Sequence, residues 1–190
     1  MKNTLVLIAL LTSLLAAGQE KINPTDTLLI SGKIKNERAL TLSDLNNFPQ
    51  KNIPDVIIIN VEGETKGTAK NLKGVLLKSI IENIGVQAND PKELNAFYFI
   101  CIASDGYKVV FSWNEIFNTG TGNNLYIITE KDGKKMNEMN NRILLISTTD
   151  FVTGRRYIKG LKKIIVDRID QPAQTMKKKN IGTNNETFIK

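Results

Sequence analysis

Arg155, Arg156 and Lys159 place two guanidiniums and one ammonium within five residues, beside Gly154. A guanidinium presents a planar fork of N–H donors and an ammonium a compact charge, so this cluster suits a phosphate or an oxyanion held by charge-assisted hydrogen bonds. A solvated basic loop accounts for the same residues equally well. A second constellation is Ser104-Asp105-Gly106-Tyr107. Its dipeptide Asp-Gly predicts a hairpin turn in which Gly106 takes a positive φ, and turn chemistry accounts for the pair without any ligand.

What the chain lacks narrows the chemistry further. Its 190 residues include no histidine and a single cysteine, Cys101. Without imidazole there is no ordinary general base near neutral pH, no usual zinc ligand and no imidazole triad. One thiol cannot form a disulfide within the chain. Cys101 sits in FYFICIA, Phe97 to Ala103, a run apolar on both sides, and reads as a core residue, because a metal-ligating thiol must ionise at an accessible edge. Trp113 reads likewise as a core or edge aromatic. Glu62 and Glu64 lie in a polar loop with no second acid paired to them, so hydrolysis by a carboxylate pair is unsupported.

The elements that must position these residues follow from patterning. Leu28 to Lys35 reads as a strand broken at Gly32, and Ser43 as the N-cap of a short helical turn that Pro49 stops. VIIIN, Val56 to Asn60, is a β-branched strand followed by the polar loop VEGETKGTAKN. Gly74 to Val86 carries apolar residues at 76, 77, 80, 81 and 84, a helical period closed by Gly85. FYFICIA and YKVVFSW form a hairpin, after which Ser112 caps WNEIF. Strands follow at Leu125 to Thr129, at ILLIST from Ile143 and at Ile164 to Ile169, with a turn at Lys131-Asp132-Gly133-Lys134. There is no internal repeat. Strands outnumber helices without βαβ alternation, so the expected class is α+β, mainly β with short helices.

The ends have a different character. Lys2, an apolar run and then Ala16-Ala17-Gly18 have the layout of a secretory signal, too short to span a bilayer. Residues 1–18 are therefore expected to be a cleaved leader, 19–170 one domain, and 171–190 a disordered polar and basic tail. The expected location is outside the cytoplasm, periplasmic or extracellular, with no membrane span. Of the formal charge of +7, one unit lies in the leader and three in the tail, which leaves a mildly basic body and no nucleic-acid signature. Lys177 to Lys179 read as solvated, and the sequon at Asn185 matters only in a glycosylating host.

Taken in order, ISGKIKNERALTLSDLNNFPQ, NLKGVLLKSIIENIGV, ASDGYKVVFSWNEI and GRRYIKGLKKIIV resemble segments of the molybdopterin-binding domain of the sulfite-oxidase-like oxidoreductases, from Leu29 to Val166. The resemblance implies that fold and a molybdenum held by a pterin dithiolene and one protein cysteine just after the strand that matches VIIIN. A soft thiolate suits a redox-active metal. This chain has Asn60 there, a neutral oxygen donor, and no cysteine nearby. The resemblance also implies that the turn of Ser104, Asp105, Gly106 and Tyr107 borders the pterin pocket, and that the segment with Arg155, Arg156 and Lys159 meets the pterin phosphate or the anion oxidised.

Three functions remain open on this reading. One is a cofactor-degenerate binding or interaction module with no bound cofactor or metal, its partner an unknown protein or an anionic small molecule. The second is a molybdopterin-dependent oxidoreductase subunit with non-cysteine ligation of the metal. The third is an anion or small-molecule carrier.

Overall fold

The computed structural model describes residues 21–169. The expected leader and the tail, with Lys177 to Lys179 and Asn185, lie outside the described residues. Twelve strands and three short α-helices alternate irregularly along the described chain. The first sheet contains β1 (Thr27–Gly32), β2 (Arg38–Thr41), β7 (Phe97–Ala103), β8 (Lys108–Ser112) and β12 (Leu161–Arg168), in the order β2-β1-β12-β7-β8. Its β1 and β12 pair in parallel, Leu29 against Lys163 and Gly32 against Val166, and every other neighbour pairs antiparallel.

The second sheet contains β3 (Lys51–Ile53), β6 (Leu72–Leu76), β9 (Leu125–Lys131), β10 (Lys134–Lys135) and β11 (Leu144–Ser147), with β9 at its centre. A separate hairpin is formed by β4 (Val56–Ile59) and β5 (Thr65–Ala69). The helices are α1 (Leu42–Asn46), α2 (Leu77–Ile84) and α3 (Trp113–Phe117). One apolar cluster runs through both sheets and α2, and its largest fully buried side chains include Phe97, Phe99 and Phe111. This architecture is the α+β, mainly β class that the patterning predicts.

Several expected elements shift once tertiary contacts act. The helical reading of Gly74 to Val86 holds from Leu77, where Leu77, Ile80, Ile81 and Ile84 face the core. Residues 72–76 are instead drawn into the second sheet between β3 and β9. The N-cap of α1 is Thr41, not Ser43: the Thr41 hydroxyl accepts from the Asp44 N–H while the Asp44 carboxylate accepts from the Thr41 N–H, a reciprocal capping box. The expected loop VEGETKGTAKN contains β5, a polar strand paired to β4. By contrast, the cap on α3 is Ser112, as its sequence suggests, closed by Glu115.

Cys101 and Trp113 fall where the residue reading puts them. Strand β7 alternates, and Cys101 shares its fully buried face with Phe97 and Phe99. Trp113 is partly buried and stacks on Phe117, with ring centroids 4.9 Å apart.

Candidate functional site

Strand β4 leaves the core early. Ile57 is half exposed and Val61 beyond it is exposed, while Val56 and Ala69 at the base of the hairpin stay in the core and the hairpin pairs only with itself. What holds it there is the turn of 3-10 helix at Thr153–Arg156. The buried Thr153 hydroxyl donates to the Ile57 carbonyl (2.7 Å) and accepts from the Ile59 N–H (2.9 Å). Gly154 lies directly against β4, where a Cβ would stand 2.7 Å from the Ile59 carbonyl oxygen, so only glycine permits this approach.

The β7–β8 turn closes on the same region. Gly106 has φ +81°, and the Asp105 carboxylate accepts from the Tyr107 N–H (3.0 Å), so the turn is built as Asp-Gly chemistry predicts. The Tyr107 hydroxyl donates to the Arg155 carbonyl (2.6 Å), tying the turn to the basic segment. Between these pieces lies a cavity of about 630 Å³. Of the sequence-predicted site residues it gathers Asn60, Asp105, Tyr107, Arg155 and Lys159 on one wall system, joined by Lys66 and Tyr157.

Three predicted residues do other work. The Ser104 hydroxyl donates to the Asn23 carbonyl and accepts from the Asn23 N–H, anchoring the incoming chain. Gly106 shapes the turn without lining the cavity. Arg156 turns away from its neighbour Arg155: its guanidinium forks onto Asp150 (2.6 Å for both bonds), reaches Glu115 (2.9 Å) and lies over the Phe111 ring. Those bonds hold its pKa above the ordinary arginine value, the Asp150 hydrogen bonds contributing most. Arg155 has no carboxylate within ion-pair distance among the described residues, and neither has Lys159.

The residues missed by sequence reasoning are Lys66, Tyr157 and Thr153. Lys66 is the extra residue of a bulge, since Ile58 pairs with Gly67 and Ile59 with Thr65. A bulge re-aims the side chain it carries, and nothing in VEGETKGTAKN announces one. Burial, then the nearby Asp132 charge, pushes the Tyr157 phenol up to about 12, so it stays a neutral hydrogen-bond donor.

The residues do not fit a thiolate-held molybdenum. Asn60 stands at the position where the resemblance places the cysteine, and its carboxamide is occupied. The oxygen accepts from the N–H groups of Glu62 (3.1 Å) and Glu64 (2.8 Å), and the nitrogen donates to the Glu64 carboxylate (3.0 Å). The hydrogen bond from Lys66, and after it this one from Asn60, hold the Glu64 carboxyl below its ordinary value. The sole thiol is fully buried in β7 and pushed up to about 12 by burial. Among the described residues no cluster of three or more acidic, cysteine or histidine side chains stands ready for a metal ion.

No family model and no curated protein matches this chain. Among solved structures, the crystal structure of the sulfane dehydrogenase SoxCD from Paracoccus pantotrophus is similar in fold, with a TM-score of 0.58 at 15% identity. The match covers 79% of this chain and 40% of that one, so the chain spans less than half the length of that structure.

Proposed function

We propose that this chain is an exported binding module that keeps a sulfite-oxidase-like scaffold and has lost the means to ligate molybdenum. The observation that carries the reading is Asn60. At the position where the resemblance calls for a thiolate stands a carboxamide whose every polar atom already serves the β4–β5 turn. The fold likeness to a dehydrogenase supports the scaffold, and fold alone does not carry activity with it. What remains at the site is a cavity bordered by Arg155, Lys159 and Lys66, suited to an anionic partner. Export is inferred from the leader-like residues 1–18, and cleavage after Gly18 is the expected processing step.

The competing reading, an oxidoreductase subunit whose metal is completed by water or another group, draws on the same likeness to a dehydrogenase. One experiment separates them. The full chain is exported from a host that makes the cofactor, and purified protein is assayed for molybdenum by mass spectrometry and for pterin by fluorescence after oxidative release. The expected result is neither, beside a loaded positive control. Stoichiometric molybdenum and pterin would overturn the proposal.

A further inference from the structure

A second cavity, of about 390 Å³, adjoins the first. The two share Ile58, Lys66, Tyr157 and Lys159, so they meet at a waist that carries two ammoniums and a neutral phenol. Beyond the waist the second cavity is bounded by the β9–β10 turn, a two-residue hairpin with positive φ at Asp132 (54°) and Gly133 (76°). This tight turn sets Lys131 and Lys134 side by side across the ladder. The same cavity is lined by Thr68 from β5 and by Asn140 and Asn141.

Together the cavities are bordered by five cations, Lys66, Lys131, Lys134, Arg155 and Lys159, and by two carboxylates, Asp105 and Asp132. Asp132 is spent on Lys131 (2.6 Å) and on the Lys70 N–H (3.1 Å). Lys66 is shared with exposed Glu64. Lys134, Lys159 and Arg155 have no carboxylate partner among the described residues, and they are distributed over the far cavity, the waist and the near cavity respectively. Uncompensated positive charge spread along a trough, with hydroxyl and amide donors between, complements an extended anion rather than a point charge.

We infer that the two cavities form one elongated site for a small linear polyanion of the phosphoryl type, with one end on Arg155 and the other on Lys134. The inference rests on the binding-module reading. Phosphoryl oxygens accept from ammonium, guanidinium, amide and phenol donors alike and need no proton from the protein, which matches the donor-rich lining. Lys66, carried on its bulge, and Lys159 grip the middle of the ligand.

Calorimetric titration of the full chain with inorganic tripolyphosphate and with orthophosphate tests this, on protein whose molybdenum content is measured in the same preparation. Tripolyphosphate is expected to bind about tenfold or more tighter than orthophosphate. Arg155→Gln and Lys134→Gln, at opposite ends, are each expected to weaken tripolyphosphate by about fivefold or more, while Lys51→Gln, an equal loss of charge on exposed β3, changes it less than about twofold. Circular dichroism melts confirm that each variant is folded. Equal affinity for the two phosphates, no binding of either, or a Lys134→Gln variant that behaves like Lys51→Gln would each overturn the two-ended site. Because metal content is read separately, metal-free protein that fails these titrations sinks this inference alone, and metal-loaded protein sinks the reading beneath it.

Discussion

Arg155 and Arg156 are adjacent, identical in type and opposite in fate. Arg156 is enclosed by Asp150, Glu115 and Phe111, whereas Arg155 stands exposed at the cavity. Arg156→Met removes three charge-assisted hydrogen bonds, two to Asp150 and one to Glu115, and is expected to cost about 2 kcal/mol in urea denaturation, while Arg155→Met stays within about 0.5 kcal/mol. The sequence shows a basic cluster but not this division, because Glu115 reaches Arg156 only through the fold. Cys101 was more legible: a thiol inside an unbroken apolar run has nowhere to go but the core. It gives a second test. Burial keeps the folded thiol neutral up to about 12, whereas the unfolded chain ionises near 9.0, so the folded state holds the extra proton between those values. Stability is therefore complete below pH 9 and declines above it, by about 2 kcal/mol at pH 10.5. Urea midpoints at pH 7.5 and 10.5 should show the decline, and Cys101→Ala should remove most of it, the raised Tyr157 phenol leaving a smaller decline of the same sign. An unchanged midpoint in the parent protein would mean the thiol is not sequestered.

At the scale of elements, the site depends on a two-stranded hairpin that joins neither of the larger sheets. Strands β4 and β5 are held by the Thr153 hydroxyl and by the contact of Gly154 with Ile59. Thr153→Val keeps the shape and removes both hydrogen bonds, leaving the Ile59 N–H and the Ile57 carbonyl without that partner. The expected loss is about 2 kcal/mol, with faster hydrogen exchange at Ile59, and protection equal to the parent's would show that the clamp is not what holds the hairpin. Patterning found β7, β8, α3 and the apolar face of α2, where one face is buried and periodicity is enforced. It missed β5, whose residues Thr65 to Thr68 are all exposed and carry no hydrophobic alternation. It also extended α2 backwards over β6, since Gly74, Val75 and Leu76 suit a helix as well as a buried strand until β9 claims them. Of the positions that patterning misplaced, those of β5 border the cavities, whereas β6 and the Thr41 cap do not; the cavities are assembled from loops and a small hairpin, which local sequence specifies least.

For the whole molecule, the order β2-β1-β12-β7-β8 puts the last described strand at the middle of the first sheet, between the first strand and the long hairpin strand β7. Val166 and Ile164 of β12 are fully buried there. A chain ending at Gly160 leaves β1 and β7 with facing, unpaired edges, and is expected to show no cooperative thermal transition by circular dichroism. A sharp melt in such a truncation would mean that the remaining strands close without β12.

The parallel pairing of β1 with β12 also sets the timing of folding. A polypeptide emerging from a ribosome presents β1 first and β12 last among the described strands, with about 130 residues between them. Until residues 161–168 are free, the two halves of the sheet have no common neighbour, so the growing chain keeps this sheet open for most of its synthesis. Completion is then a single late event, and it seats the Arg155–Lys159 segment just before β12 at the moment the sheet closes.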